Sequence, residues 1–245
     1  MARLFVSDVH LDTRSPAAVE QFLSFLHTHA AHAEALYILG DLFETWIGDD
    51  DPDPEKERVR NGLRTLTGSG VACFVLHGNR DFLIGREFCL STGCRLLADP
   101  IVVELDGERV LLTHGDALCT DDHPYQELRS IVRTPQWQRT FLALPVSDRE
   151  RLANQARSGS RQHTSSTTYE IMDVNADSVT AAFRVTGVRR IIHGHTHRPA
   201  VHDLAIEGET AQRIVLGAWY EEGSYLSYES GKYDLRQMPR DARSG

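Results

Sequence analysis

The chain lacks any apolar stretch approaching the roughly 20 residues needed to cross a bilayer, so membrane contact, if it occurs, must be peripheral. Its opening MARLFVSDVH has no charged region followed by a long apolar run and runs straight into a strand pattern. None of the four cysteines, Cys73, Cys89, Cys94 and Cys119, pairs as CxxC. That argues against a disulfide framework or thiolate metal site and favours a reducing cytoplasm. Positive charge is also short. A formal net charge of −9 argues against wholesale nucleic-acid binding, because the phosphate backbone calls for a basic surface. Internal repeats and low-complexity tracts are missing too.

What is present is enough for one large domain, or a domain with an insertion: 245 residues with 41% hydrophobic content can bury a core without staples. The charge is segregated. Between Arg129 and Arg161 seven arginines stand against Asp148 and Glu150, a net of +5, which leaves about −14 for the rest.

Five apolar runs each end in a polar cluster: Leu4-Phe5-Val6 before Ser7-Asp8, Leu36 to Leu39 before Gly40-Asp41, Val71 to Leu76 before His77-Gly78-Asn79, Val110 to Leu112 before Thr113-His114, and Ile191-Ile192 before His193-Gly194-His195. These read as buried strands. Between the first two, Val19, Phe22, Leu23, Phe25 and Leu26 predict an amphipathic helix within Pro16 to Ala35, and Glu55 to Leu66 offers another. Strands alternating with helices imply an α/β fold. From about Asp121 to Thr186 the pattern is helical, with Tyr125, Leu128, Ile131, Val132, Trp137, Phe141 and Leu144 at helical spacing. We therefore expect a core of residues 1–120 and 187–240 and a helical insertion of 121–186 standing over the strand ends. After Pro199 strands and turns return, among them Arg213 to Leu216 and Tyr225 to Tyr228.

Asp8 and His10 are two apart at a strand end, so an extended backbone would point both side chains the same way. His195 and His197 repeat that spacing, and Asp41, Asn79 and His114 each sit where a strand passes into a loop. Ligands of open α/β sheets gather outside the carboxyl ends of strands, where all five clusters would converge. Seven oxygen and nitrogen donors without a thiolate suit Mn²⁺, Mg²⁺, Fe²⁺ or Zn²⁺. Seven is too many for one catalytic ion that must also hold water. Two ions roughly 3.5–4 Å apart, bridged by Asp41, would use them all, and such pairs clamp the attacking and leaving oxygens of phosphoryl chemistry. Taken singly, each residue reads as a turn or a satisfied loop side chain. Five such clusters at five strand ends favour the metal reading. His27, His29 and His32 read as surface residues, His77 and His193 as supports, and His123 as either a substrate contact or a surface residue. The acidic run Asp49, Asp50, Asp51 and Asp53 reads as a solvated loop.

The order D8-V-H10, G40-D41, G78-N79-R80-D81, H114-G and G194-H195-T-H197 resembles the calcineurin-like metallophosphoesterase superfamily over about Leu4 to His197. The resemblance implies a four-layer αββα sandwich. It also implies a first ion on Asp8, His10, Asp41 and His197 and a second on Asp41, Asn79, His114 and His195. Most of that superfamily has histidine after the asparagine, as a leaving-group acid, where this sequence has Arg80. A phosphate monoester, with a second pKa near 6, leaves without protonation, and arginine can neutralise phosphate oxygens as a two-pronged donor. The substitution points toward pyrophosphate cleavage.

GDLFETWIGDD at 40–50, HGNRDFLIG at 77–85 and HGDALCTDD at 114–122 narrow the resemblance to the pyrophosphatases of lipid A synthesis that act on UDP-2,3-diacylglucosamine. That implies attack on the phosphorus next to uridine with Mn²⁺ as the usual metal, at the cytoplasmic face of the inner membrane. It implies substrate contacts at Asn79, Arg80, Asp122, Ser160 and His195. It also implies contacts at Thr164 and Thr167, where the family normally has asparagine and lysine. The apolar stripe and net positive charge of the insertion suit acyl chains and anionic headgroups, though helix packing and a solvated arginine face would look the same.

Overall fold

A computed structural model describes residues 1–166, 171, 173–220 and 222–239, the side chains of 159–166 excepted. In chain order its elements begin with β1 (Arg3–Val6), α1 (Pro16–Thr28), β2 (Ala35–Ile38), α2 (Pro54–Gly68), β3 (Ala72–Val75), α3 (Arg86–Thr92), β4 (Arg95–Leu96), β5 (Ile101–Leu105) and β6 (Glu108–Leu112). Four helices follow: α4 (His123–Val132), α5 (Pro135–Leu142), α6 (Val146–Ser166) and α7 (Ala176–Thr186). The rest is β7 (Arg190–His193), β8 (Ala200–Ile206), β9 (Glu209–Val215), β10 (Gly223–Glu229) and β11 (Lys232–Met238).

The strands form two sheets, in the orders β11-β10-β1-β2-β3-β4 and β5-β6-β7-β9-β8. The runs β1-β2-β3-β4 and β6-β7-β9 are parallel, with β10, β11, β5 and β8 added antiparallel. The central runs are apolar on both faces because each sheet is covered on both sides. Leu4, Val6, Leu36, Ile38, Cys73 and Val75 face the core shared with Val19, Phe22 and Phe25 of α1 and with Val59 and Leu63 of α2. The alternate residues Phe5, Tyr37 and Leu39 meet Val110, Leu112, Ile192 and Ile214 between the sheets. On the far side Leu111 and Ile191 pack on Val179 and Phe183 of α7. The layers therefore run helix, sheet, sheet, helix, as the resemblance implied. Each fully buried side chain of this kind contributes about 1.5–3 kcal/mol.

Helix α1 starts at Pro16 as expected but stops at Thr28, short of Ala35. A single tight turn, Ala30–His32, intervenes before β2 begins. Helix α2 is set by Asp53, whose side chain accepts from Glu55 N and Lys56 N. Such a cap is worth about 1 kcal/mol. The acidic run is a partly exposed loop, as expected, whose carboxylates also hold neighbouring elements. Besides that cap, Asp49 accepts from Gly85 N and Phe88 N at the start of α3, Asp50 pairs with Arg149, and Asp51 with Lys56.

Within 121–186 the helices divide. α7 belongs to the sheet packing just described, whereas α4, α5 and α6 reach the loops beyond β2 and β3. Arg133 donates to Gly78 O (2.9 Å), the Trp137 ring lies 6.1 Å from that of Phe82, and Arg149 donates to Ile47 O (2.7 Å). No helix among the described residues is long and apolar enough to cross a membrane.

Candidate active site

All seven predicted ligands come together at the carboxyl ends of β1, β2, β3, β6 and β7. His197 Nε2 lies 3.3 Å from Asp8 Oδ1 and 3.1 Å from His10 Nε2. His114 Nε2 is 2.8 Å from Asn79 Oδ1, and His195 Nδ1 is 2.9 Å from the same oxygen. Asp41 stands between the two groups, with Oδ2 3.9 Å from His10 Nε2 and Oδ1 3.8 Å from His114 Nε2. Ligand atoms of Asp8, His10 and His197 lie within 4.8 Å of one another, as do those of Asp8, Asp41 and His114.

The side chains converge for a reason other than the one the spacing suggested. Strand β1 ends at Val6, and neither Asp8 nor His10 is extended: their φ angles are 55° and 54°. Asp41 (52°), His195 (67°) and His197 (58°) are left-handed as well. Of the eight described non-glycine residues with positive φ, the other three, Asp106, Glu207 and Ser230, each precede a glycine in a hairpin turn. Left-handed backbone outside such turns costs of order 1–3 kcal/mol per residue and persists where surroundings over-determine it.

Those surroundings are hydrogen bonds between loops. Asp8 N, His10 N and Leu11 N donate to Gly40 O, Asp41 O and Leu42 O, so the two loops run side by side beyond their strands. Asp81, fully buried, gathers Gly78 N (2.8 Å), Asp41 N (3.2 Å) and Leu42 N (2.7 Å) on its carboxylate. The sheets are joined by His195 N donating to Asp8 Oδ2 (2.8 Å) and by His114 Nδ1 donating to Leu39 O (2.9 Å). Two glycines permit this crowding: a Cβ on Gly78 would lie 2.1 Å from Asp41 N, and one on Gly194 2.0 Å from Ser7 Oγ.

The donors fit divalent cations. His114 Nδ1 faces a carbonyl, which can only accept, so its neutral tautomer turns the Nε2 lone pair toward the oxygen of Asn79. His10 Nδ1 lies 2.9 Å from Glu44 Oε2, which turns its Nε2 lone pair toward His197 in the same way. The facing lone pairs of His114 Nε2 and Asn79 Oδ1 require a proton or a cation between them. Asp8 Oδ1 is buried without a well-aligned hydrogen bond.

Electrostatics agree. Burial opposes ionisation of Asp8, yet the imidazoles of His197, His114 and His10 outweigh it and hold its pKa well below the usual range. Burial raises Asp41 to about 6, aided by Asp81 and Asp8 against the two facing histidines. Burial also disfavours charge on His114, but Asp41, Asp8, Asp116 and Asp99 overcome it and lift the pKa to about 9. His195, buried beside His114, falls to about 3 and is a neutral donor at physiological pH. The pocket attracts positive charge.

Several contributing residues escaped the sequence reading. Glu44 orients His10 and takes Arg157 Nη2 at 2.8 Å; despite burial, His10, Arg80 and Arg157 bring its pKa down to about 2. Asp116, fully buried, receives Tyr125 OH (2.5 Å) and Arg129 Nε (2.8 Å) from α4, and the Tyr125 ring lies 6.0 Å from that of His195. A GD pair after a strand-end histidine carries no signal that sets it apart from a turn. Among predicted substrate contacts, Arg80 is half-buried, with its backbone N donating to Asp41 Oδ1. Asp122 caps α4 by accepting from Tyr125 N (3.1 Å). The side chains of Ser160 and Thr164, and Thr167 as a whole, lie outside the described residues. His77 contacts Ile84 O and His193 contacts Gly194 O, the supporting parts expected of them. His123 is exposed.

Two stacked sheets with this donor cluster at their strand ends define a metal-dependent phosphoesterase, and the chain belongs to the calcineurin-like phosphoesterase family, which residues 1–199 match. Within it, the chain is 50% identical over 239 residues to a protein of Salmonella arizonae named UDP-2,3-diacylglucosamine hydrolase, with 98% of this chain and all of the relative covered. A Salmonella typhi protein of the same name matches equally. Among solved structures, an archaeal phosphodiesterase superposes with a TM-score of 0.50 at 12% identity, covering 98% of this chain and 99% of that one, a likeness of fold.

Proposed function

We propose that the chain hydrolyses the pyrophosphate bond of UDP-2,3-diacylglucosamine, with water attacking the phosphorus next to uridine to give UMP and 2,3-diacylglucosamine 1-phosphate (lipid X) in lipid A biosynthesis. The observation that carries this is the 50% identity, across 98% of the chain, to proteins named for that hydrolysis, joined to a site whose donors suit cations. Asp8, His10, Asp41 and His197 hold one divalent ion and Asp41, Asn79, His114 and His195 the other, with Mn²⁺ as the expected metal. Bound there, such a pair supplies Lewis-acid polarisation of phosphoryl oxygens and a nucleophile from water at neutral pH.

The chain's own groups do the rest. Arg80 neutralises charge developing on the phosphoryl oxygens, in place of a leaving-group acid that a departing phosphate monoester does not need. Asn79 and His195 orient the phosphoryl group between the two halves of the site. Glu44 and the Leu39 carbonyl fix the tautomers of His10 and His114. Asp122, Ser160, Thr164 and Thr167 are assigned as further substrate contacts.

Helices α4, α5 and α6 form the cover for the lipid. Leu128, Ile131 and Leu142 are exposed there, at 53%, 50% and 40%, among the arginines of the positive segment. A surface of that kind suits peripheral attachment to the cytoplasmic face of the inner membrane.

Product analysis tests the assignment: with Mn²⁺ present, UDP-2,3-diacylglucosamine should yield UMP. Release of uridine or UDP would redirect the substrate argument. Faster turnover of cyclic nucleotides or simple phosphomonoesters would favour a phosphodiesterase or nucleotide phosphatase acting on a soluble substrate.

A further inference from the structure

Tyr220 closes one side of the site: its ring lies parallel to that of His10 at 5.3 Å and edge-on to that of His197 at the same distance. Beyond it opens a cavity of about 360 Å³, lined among others by His10, Asp12, Arg14, Ser15, Trp219 and Tyr220. That volume lies in the usual range for small-molecule sites. We propose that this cavity is the subsite for the nucleoside end of the substrate, an inference that rests on the function just proposed and deepens it.

A nucleoside needs a flat surface for its base, a donor for the base carbonyls and an acceptor for the ribose hydroxyls. Tyr220, 58% exposed, supplies the ring. Arg14 supplies a guanidinium held in place by Asp12, which it meets through Nε at 2.9 Å and through Nη2. Asp12 is also held by Arg157 Nη1 at 3.3 Å, and Glu44, on the same cavity wall with one partner on each oxygen, is the ribose acceptor. The Ser15 hydroxyl does not cap α1. Asp12 and Glu44 on the wall are already paired with Arg14 and Arg157, so the cavity suits the uncharged part of a nucleotide whose phosphate sits at the donor cluster.

The opposite flank differs. There His195 faces Tyr125, and α4 presents exposed Leu128 and Ile131. A pyrophosphate spanning the site sends its two substituents in opposite directions: the diacyl sugar toward the helices and the uridine toward Tyr220.

Calorimetric titration of the full-length, Mn²⁺-loaded protein with UMP and with ribose 5-phosphate tests this, because both carry the phosphate and only one carries the base. UMP should bind at least about tenfold more tightly, as expected for one stacked base. In Arg14→Ala and Tyr220→Ala that preference should shrink to about threefold or less. Their kcat/KM on UDP-2,3-diacylglucosamine should fall about tenfold relative to their own turnover of bis(4-nitrophenyl) phosphate, mainly through KM. Ser15→Phe, which fills the cavity without touching Tyr220, should lose the UMP preference while retaining its Mn²⁺ content. Equal binding of the two ligands by the wild type, or an undiminished UMP preference in all three variants, overturns the proposal. A wild type that binds UMP preferentially but leaves the UDP-lipid uncleaved overturns the function reading instead and keeps the cavity assignment.

Discussion

Asp8, Asp41 and His114 on the floor of the site are at most 2% exposed and take their places from hydrogen bonds that cross between loops and sheets. Helix α4 buries none of its ten residues and meets the site through Tyr125 and Arg129, which reach Asp116, with Arg133 just past its end reaching Gly78 O. Donors proposed to hold two ions must keep their spacing throughout turnover, and left-handed backbone held by loop-to-loop hydrogen bonds, those to Asp81 among them, provides that. The cover proposed for a large amphipathic substrate must instead release its product. Contacts made by long side chains over a polar surface separate without dismantling a core.

The sharpest way to break this contrast is Asp41→Ala. On the two-ion assignment, metal analysis should find no more than one ion, and turnover should fall at least about 10³-fold. Near-normal activity at limiting metal would sink the dinuclear scheme. Glu44→Gln probes the layer beneath: metal affinity should drop about 10–100-fold because His10 loses the partner that fixes its tautomer. A Kd that stays put would confine Glu44 to holding Arg157.

Proton counting sharpens the picture of the floor. His114, with a folded pKa of about 9 against an unfolded value near 6.5, is protonated at pH 7.5 in the metal-free protein. Its protonated form stabilises the fold fully below about pH 6.5, a contribution lost as pH rises through 9. An ion requires the neutral ring. Loading at pH 7.5 should therefore release about one proton from His114, and affinity should rise about tenfold per pH unit between 7 and 9. Calorimetry in buffers of different ionisation enthalpy measures the release, and none at all would remove His114 from the ligand set. The smallest effect is expected above the floor. Arg133→Ala should raise KM by less than about tenfold, with a deficit that narrows at high salt because the wild-type contacts are themselves screened. A thousandfold loss would make the cover part of the floor.

The central strands were legible because β1, β2, β3, β6 and β7 carry apolar runs toward their carboxyl ends, lined on both faces by packed residues. Margins such as β8 and β11, exposed at alternate residues, and the seven-residue α3 gave no comparable signal. All seven donors were legible by type and position. Their geometry was not: an Asp-x-His spacing suggested an extended backbone, whereas the structure aims Asp8 and His10 through two left-handed residues. Glu44, Asp81 and Asp116 were illegible in their roles, since orientation by a distant carboxylate depends on which loops fold together, and no local pattern encodes that.

One consequence concerns Asp8. One of its carboxylate oxygens faces the donor cluster while the other receives His195 N from the opposite sheet, and Gly194 leaves no slack beside it. Lengthening this side chain to glutamate, or exchanging it for histidine, would pry apart the seam between the sheets before it altered any affinity. A change of metal preference at the proposed site is therefore expected to leave Asp8 in place and to act on its neighbours.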